Sequence, residues 1–152
     1  MSKHLSGVMV AVFAAAMLFP SPAFADHRPG NVVVMGGSWA LTGRYAVPAV
    51  GFLNARKLYV EELNARGGLL GHRVVLKIVD DKSDRRAAIE IYETLITEDA
   101  VDIVLGPYSS PINDAVANVM ERYKRPFIAS AAASPAIFQR GRKFVFRAPK
   151  TN

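Results

Sequence analysis

The feature that most constrains this chain is a regular alternation of short apolar runs with longer helical patterns. The apolar runs are Asn31–Met35, Arg73–Val79, Val101–Leu105, Phe127–Ser130 and Phe144–Arg147. Short apolar runs that are rich in valine and isoleucine are typical of strands buried on both faces of a parallel sheet. Each run is therefore predicted to form a strand.

The segments between these runs have helical periodicity. The first helix is predicted over about 47–66, and Gly67-Gly68 ends it because glycine accepts the left-handed conformation of a helix C-cap. Residues three or four apart predict its buried apolar face. They are Ala49, Phe52, Ala55, Tyr59 and Leu63.

Two further helices and a short one complete the pattern. Ser83 or Asp84 is a suitable N-cap for a helix that runs to about Thr97. A third helix begins near position 110, and 135–140 is predicted to be a short helix. Strands that alternate with helices in this way predict an α/β fold, a doubly wound parallel sheet of the Rossmann-like kind.

The N-terminus has the pattern of a cleaved secretory signal peptide over residues 1–25. Lys3 and His4 form a short basic region, and the apolar run Val8–Phe19 is too short to span a bilayer. Ala23-Phe24-Ala25 is a small-x-small cleavage pattern, which predicts cleavage after Ala25. The alternative is an N-terminal membrane anchor. The chain has no cysteine for a lipid anchor, so the export pattern predicts a periplasmic location.

The composition favours neither a nucleic-acid partner nor an enzyme. The net charge is +6, but most basic residues lie near acidic ones and no aromatic residues are interleaved with them. The histidines are His4, His27 and His72, and the chain contains no G-x-S-x-G motif. Asp80-Asp81 is better explained as a strand end than as a metal site or acid–base pair. No metal or cofactor is predicted.

A binding site is predicted where the strands end, because ligands of doubly wound sheets bind beyond the carboxyl ends of the strands. Three loops meet there: 36–45, 106–110 and 130–134. Ser109 and Ser110 open a helix and are suited to an anion such as a carboxylate, although helix capping would explain them equally well. The candidate ligand-binding residues are Trp39, Tyr45, Tyr108, Ser109, Ser110, Ala131, Ala132, Ala133 and Ser134.

Five motifs in order resemble one protein family. They are Leu41–Ala46, Tyr59–Gly71, Asp80–Asp84, Gly106–Ser110 and Ala132–Phe138. Together they resemble periplasmic solute-binding proteins of the leucine/isoleucine/valine class, colinearly from about residue 32 to residue 148. The resemblance implies a type I periplasmic-binding fold, in which a ligand sits between two α/β lobes and is delivered to an ABC permease in the inner membrane.

The resemblance also implies roles for individual residues. It assigns the ligand carboxylate to the hydroxyl groups of Ser109 and Ser110 and to the backbone of 131–133. Family members that bind branched-chain amino acids often carry a threonine where this chain has Ala133, next to Ser134. An aromatic acid, a short amide or a urea-like solute therefore remains open beside an amino acid.

The chain is less than half as long as the family's full chain. Residues 26–152 are therefore expected to form part of the first lobe, with the second lobe absent, and to bind ligand weakly. Two other functions remain: a ligand-sensing domain of a receptor or regulator with the same fold, and an exported hydrolase using His72.

Overall fold

A computed structural model describes residues 32–148. The predicted signal peptide therefore lies outside the described residues. The strands are β1 (Val32–Trp39), β2 (Arg73–Asp80), β3 (Ile103–Leu105), β4 (Phe127–Ala129) and β5 (Val145–Arg147). The helices are α1 (Ala46–Ala65), α2 (Arg85–Thr97) and α3 (Ser110–Tyr123), followed by a 3₁₀ turn (Pro135–Ile137). Among these helices, none is long and apolar enough to cross a membrane.

The five strands form one parallel sheet in the order β2-β1-β3-β4-β5, which confirms the predicted fold class. From β1 the chain goes first to one edge of the sheet and then, through β3, to the other. The direction therefore reverses between β1 and β3, and this switch point is where a doubly wound sheet forms a crevice.

β1 is longer than predicted, and the expected loop at Gly36-Gly37-Ser38 is wrong. These residues pair with β2 along their whole length. The two glycines belong in the strand because its neighbours approach closely. A Cβ on Gly36 would lie 2.5 Å from Cγ1 of Val101, and one on Gly37 would lie 2.5 Å from the Leu105 carbonyl oxygen. The first loop after β1 therefore begins only at Ala40.

One face of the sheet is covered by α2 and α3, and we call it the closed face. The main core lies here, and its largest members are fully buried. They include Tyr92, Leu95, Ile112, Met120 and Phe127. Asp84 begins α2 as predicted, and its carboxylate accepts hydrogen bonds from the backbone N–H groups of Arg86 and Ala87, each at 2.8 Å.

Among residues 32–148, α1 is the one helix on the opposite face, and we call this face the open face. The predicted apolar face of α1 is confirmed at Ala49 and wrong at Phe52 and Tyr59. Its buried residues are Ala49, Leu53 and Val60, whereas Phe52 is 49% exposed and Tyr59 is 54% exposed. α1 packs against the β1–β2 side of the sheet. A groove of about 510 Å³ remains between α1 and the strands β3 and β4.

Candidate functional site

The carboxyl ends of β1, β3 and β4 bring the three predicted loops to one edge of the sheet. Tyr108 lies at their centre. Its ring centroid is 5.9 Å from that of Trp39, 6.0 Å from that of Tyr45 and 5.6 Å from that of Phe52. Tilted and edge-on ring pairs at these separations are favourable, so the cluster fixes the orientation of the loop after β3.

Trp39, one of the candidate ligand-binding residues, is fully buried and offers no surface to a ligand within residues 32–148. The indole points into the open face because β1 continues through position 39. Its Nε1 donates to the Ala49 carbonyl at 3.1 Å, and the guanidinium of Arg56 stacks 4.0 Å from its centroid. Trp39 therefore packs edge-on against Tyr108 from the protein interior, whereas Tyr45 and Tyr108 remain partly exposed.

Ser109 and Ser110 occupy different environments at the start of α3. Ser109 has a positive φ of 85°, and its hydroxyl is buried without a hydrogen-bond partner and does not cap α3. Its carbonyl accepts from the backbone N–H of Asn113 at 3.0 Å and from Nδ2 of Asn113 at 2.8 Å. The capping alternative is thus not realised by the Ser109 side chain.

The hydroxyl of Ser110 connects the loops that follow β3 and β4. It accepts a hydrogen bond from the backbone N–H of Ser134 at 3.0 Å. Both residues also line a small depression of about 180 Å³ beside the ion pair of Arg140 with Asp114. Two of the three loops predicted to form the site, 106–110 and 130–134, are therefore joined by a direct hydrogen bond.

A larger cavity of about 380 Å³ opens next to Tyr108. Ala131 is partly exposed and Ala133 is exposed, whereas Ala132 is 8% exposed. These small side chains leave the backbone of the β4 loop accessible to a ligand. The cavity is lined by Phe52, Tyr108, Arg147, Ala148 and residues 129–133.

The first loop is held in place by Asp80. Its carboxylate accepts from the backbone N–H groups of Leu41, Thr42 and Lys82 and from the hydroxyl of Thr42, at 2.7–3.2 Å. Burial alone would raise the pKa of Asp80, but these donors together hold the pKa below its usual value. Gly43 completes the turn, because a Cβ there would lie 2.4 Å from the Lys82 carbonyl oxygen.

Asp81 is buried on the closed side of the same edge. It accepts from the Ser38 hydroxyl at 2.7 Å and from the backbone N–H of Ser83 at 2.9 Å. Burial raises the pKa of Asp81, and the nearby charges of Asp80 and Asp84 add to that rise. Both aspartates therefore have structural partners, as the sequence suggested. Residues 32–148 contain no cluster of acidic, histidine or cysteine side chains suited to a metal ion.

Five residues that border the cavity were not among the predicted ligand-binding residues: Phe52, Ala129, Ser130, Arg147 and Ala148. The sequence pattern predicts Phe52 on the buried face of α1 and Ser130 in the loop 130–134. Arg56 was also missed, although a charged residue stands in the stripe Ala49–Leu53–Arg56–Val60. An arginine at a buried position of a helical stripe is a signal that sequence reasoning can use.

The fold agrees with comparisons with known proteins. Residues 32–149 match the family described as periplasmic binding protein. The chain therefore belongs to the periplasmic binding protein family, which is a family of binding proteins and not of enzymes. Both the predicted resemblance and the expectation of a non-enzyme are confirmed.

Three individual proteins illustrate this membership. The Leu/Ile/Val-binding protein homolog 7 of Brucella melitensis is 32% identical over 148 residues, which is 97% of this chain and 35% of that protein. A structure from Rhodospirillum rubrum, assigned to a branched-chain amino acid ABC transporter, has a TM-score of 0.72 and 28% identity over 79% of this chain and 34% of its own.

The third is the leucine binding protein LivK of Thermotoga maritima. It has a TM-score of 0.67 and 25% identity, and the match covers 76% of this chain and 32% of LivK. This chain thus spans about a third of the length of the proteins that it resembles.

Proposed function

We propose that this chain is part of the extracytoplasmic substrate-binding component of an ABC importer. Its ligand is a branched-chain amino acid or a related small carboxylate or amide, which the protein delivers to a permease in the inner membrane. Family membership supports this proposal, as do the names of the relatives from Brucella melitensis and Rhodospirillum rubrum. The periplasmic location follows from the family and from the predicted signal peptide.

The observation that carries the proposal is the polar edge beside Tyr108. A buried hydroxyl without a partner, that of Ser109, lies where α3 begins. The first N–H groups of a helix have no acceptor within the helix and favour an anion. The accessible backbone of 131–133 lies on the neighbouring loop. A carboxylate fits these donors, and the exposed parts of Tyr45 and Tyr108 offer an aromatic wall for an apolar ligand body.

We further infer that residues 26–152 supply one wall of the site. The cavity beside Tyr108 is open to solvent on its outer side, and the relatives are almost three times as long. A ligand held by one wall stays half solvated, and a two-lobed site gains affinity when the lobes close. Residues 26–152 alone are therefore expected to bind weakly.

Backbone amide NMR of residues 26–152 tests this function. Leucine, isoleucine and valine are titrated to millimolar concentrations, with leucinamide as an uncharged counterpart. The expected result is a set of shifts confined to 106–110 and 130–134, and a weakening by about tenfold in Ser109→Ala, which removes one donor to the carboxylate. Thr94→Ala, an exposed hydroxyl lost from α2, serves as control.

Two results would contradict the proposal. One is the absence of shifts at these loops with every carboxylate tested. The other is a response that is identical in Ser109→Ala and in the unsubstituted chain, because the unpartnered hydroxyl would then have no role in binding.

A further inference from the structure

Arg56 is a charged residue in an unusual position on the open face. It continues the buried stripe of α1 as a partly exposed residue, and desolvation of its guanidinium lowers its pKa to about 10. Within residues 32–148, the contacts of its guanidinium include no carboxylate; they are the Trp39 ring, the Gly106 carbonyl and the Ser130 hydroxyl. Its Nη1 is buried without a hydrogen-bond partner. A buried cation without a counter-ion is costly, so its retention calls for a reason.

The contact with Ser130 fixes the direction of a proton. Nη2 of Arg56 donates to Oγ of Ser130 at 2.5 Å. A guanidinium can only donate, so the serine oxygen is the acceptor. A hydroxyl that accepts in this way keeps its own proton for another acceptor. The adjacent positive charge also makes that proton a better donor.

Ser130 stands at the border between the open face and the cavity beside Tyr108. It is exposed, and it lines both the groove next to α1 and the 380 Å³ cavity. Phe52 lines the same two spaces. The cavity also contains Arg147, whose side chain is exposed and stacks over Phe138 at 5.8 Å. A group held in this cavity therefore meets the Ser130 hydroxyl, the charge of Arg147 and the aromatic surface of Phe52 and Tyr108.

We propose that Ser130 is a ligand-binding residue, oriented by Arg56, whose hydroxyl donates to the anionic group of a ligand in the cavity beside Tyr108. Arg56 is then a positioning residue that acts through Ser130. The inference rests on the proposed function, since it assumes that a small carboxylate binds at this edge. The Ser130 hydroxyl adds a donor at the end of β4 to those expected at the start of α3. This role also accounts for the position of the Arg56 guanidinium.

Affinity measurements on the protein without its predicted signal peptide, beginning at residue 26, test the role of Ser130. Leucine is the anionic probe and leucinamide the uncharged one, and both are titrated by calorimetry. Ser130→Ala is expected to weaken leucine binding by about 10- to 100-fold, as for a hydrogen bond to a charged group. Leucinamide is expected to lose no more than about tenfold. Because Ser130 is exposed, the variant should fold, which its melting temperature verifies.

Arg56 is tested through its coupling to Ser130. Arg56→Lys and Arg56→Gln are measured alone and combined with Ser130→Ala. If Arg56 acts through the hydroxyl, either substitution weakens leucine binding in the parent but changes little once Ser130 is alanine. Arg66→Gln removes an exposed arginine just beyond the same helix and is expected to leave affinity unchanged. A purely structural role of Arg56 would lower the melting temperature and leave the affinity of the folded protein unaltered.

The outcomes separate this inference from the proposed function. If leucine binds the parent protein and Ser130→Ala binds it equally well, the inference is overturned and the function stands. If Arg56 and Ser130 contribute independently, the assigned positioning role is wrong. If neither leucinamide nor any of the carboxylates tested, leucine, isoleucine and valine included, binds the parent protein, both proposals fail together.

Discussion

The two faces of the sheet differ in how their apolar residues are covered. On the closed face, α2 and α3 bury Tyr92, Phe127 and their neighbours completely. On the open face, α1 covers the strands β1 and β2, while Ile128 remains 42% exposed next to the groove. Successive side chains of a strand point to opposite faces of the sheet. One set therefore packs in a dense core, and the other set faces a partly open surface.

The buried polar groups also differ between the two faces. On the closed face, Asp81 accepts from Ser38, and the Tyr92 hydroxyl accepts from the Ser38 backbone N–H and donates to the Leu105 carbonyl. The Oδ1 atom of Asn113 on α3 is buried without a partner among the described residues. On the open face, Arg56 retains a buried nitrogen without a partner. Stability is therefore expected to depend mainly on the closed face. Unsatisfied polar groups are expected where function requires them; among the described residues they belong to Arg56 on the open face and to Ser109 and Asn113 at the start of α3.

The largest effect should come from two neighbouring residues of β4. Phe127→Ala removes a fully buried ring from the closed face and should lower the free energy of unfolding by about 3–5 kcal/mol. Ile128→Ala acts on the open face and should cost less than about 1.5 kcal/mol, since the side chain is already partly solvated. Urea unfolding followed by circular dichroism measures both. Equal losses would show that the open face is as well packed as the closed one.

A smaller, pH-dependent effect is expected at Ser38. Because the pKa of Asp81 is raised in the folded protein, its contribution to stability is present at low pH and is lost as pH rises through that pKa. Ser38→Ala removes a donor to the charged carboxylate and should cost about 1–3 kcal/mol at neutral pH. The loss should shrink when unfolding is measured at acidic pH. A loss that does not vary with pH would mean that Asp81 is not ionised in the folded protein.

Asp80 should give the opposite pH dependence and so serves as the counterpart of Asp81. Its pKa is lowered, so its contribution to stability is present at neutral pH and is lost as pH falls through the folded-state pKa. The penalty for Asp80→Asn should therefore disappear in acid. Unfolding curves at several pH values, compared with those of the parent chain, check the sign.

The smallest effect concerns the helix caps. α2 begins with the Asp84 carboxylate on two backbone N–H groups, whereas α1 begins at Tyr45 without a side-chain cap. Asp84→Ala should lower the free energy of unfolding by about 1 kcal/mol, and Asp84→Asn by less, because asparagine is also a good N-cap. Chemical denaturation resolves this difference. A full loss with asparagine would assign the effect to charge and not to capping.

Most of the secondary structure could be predicted because local patterns determine it. Gly67-Gly68 follows the end of α1, and Asp84 caps α2, as glycine and aspartate do in many helices. The predictions that are wrong concern residues whose conformation depends on contacts with a neighbouring segment of the chain. Gly36 and Gly37 look like a loop, but they pair in β1 because Val101 and Leu105 leave no room for side chains.

The candidate site was predicted in its position and only partly in its residues. The switch point of a doubly wound sheet brings the ends of β1, β3 and β4 together, and Tyr108, Ser109 and Ser110 lie there. The burial of Trp39 could not be predicted, because it depends on which face of α1 packs against β1. The choice of the face of α1 that packs against β1 also determines that Phe52 borders the cavity.

The sequence by itself determined the order of strands and helices, the parallel sheet, the family and, apart from residues 36–39, the loops at the carboxyl ends of the strands. These follow from periodicity, capping residues and motifs, which act over short stretches of chain. Only the tertiary structure decided which side of α1 is buried, how Arg56 stacks on Trp39 and that Ser130 accepts its hydrogen bond. These contacts join residues far apart in the chain, and packing between elements, not local propensity, sets them.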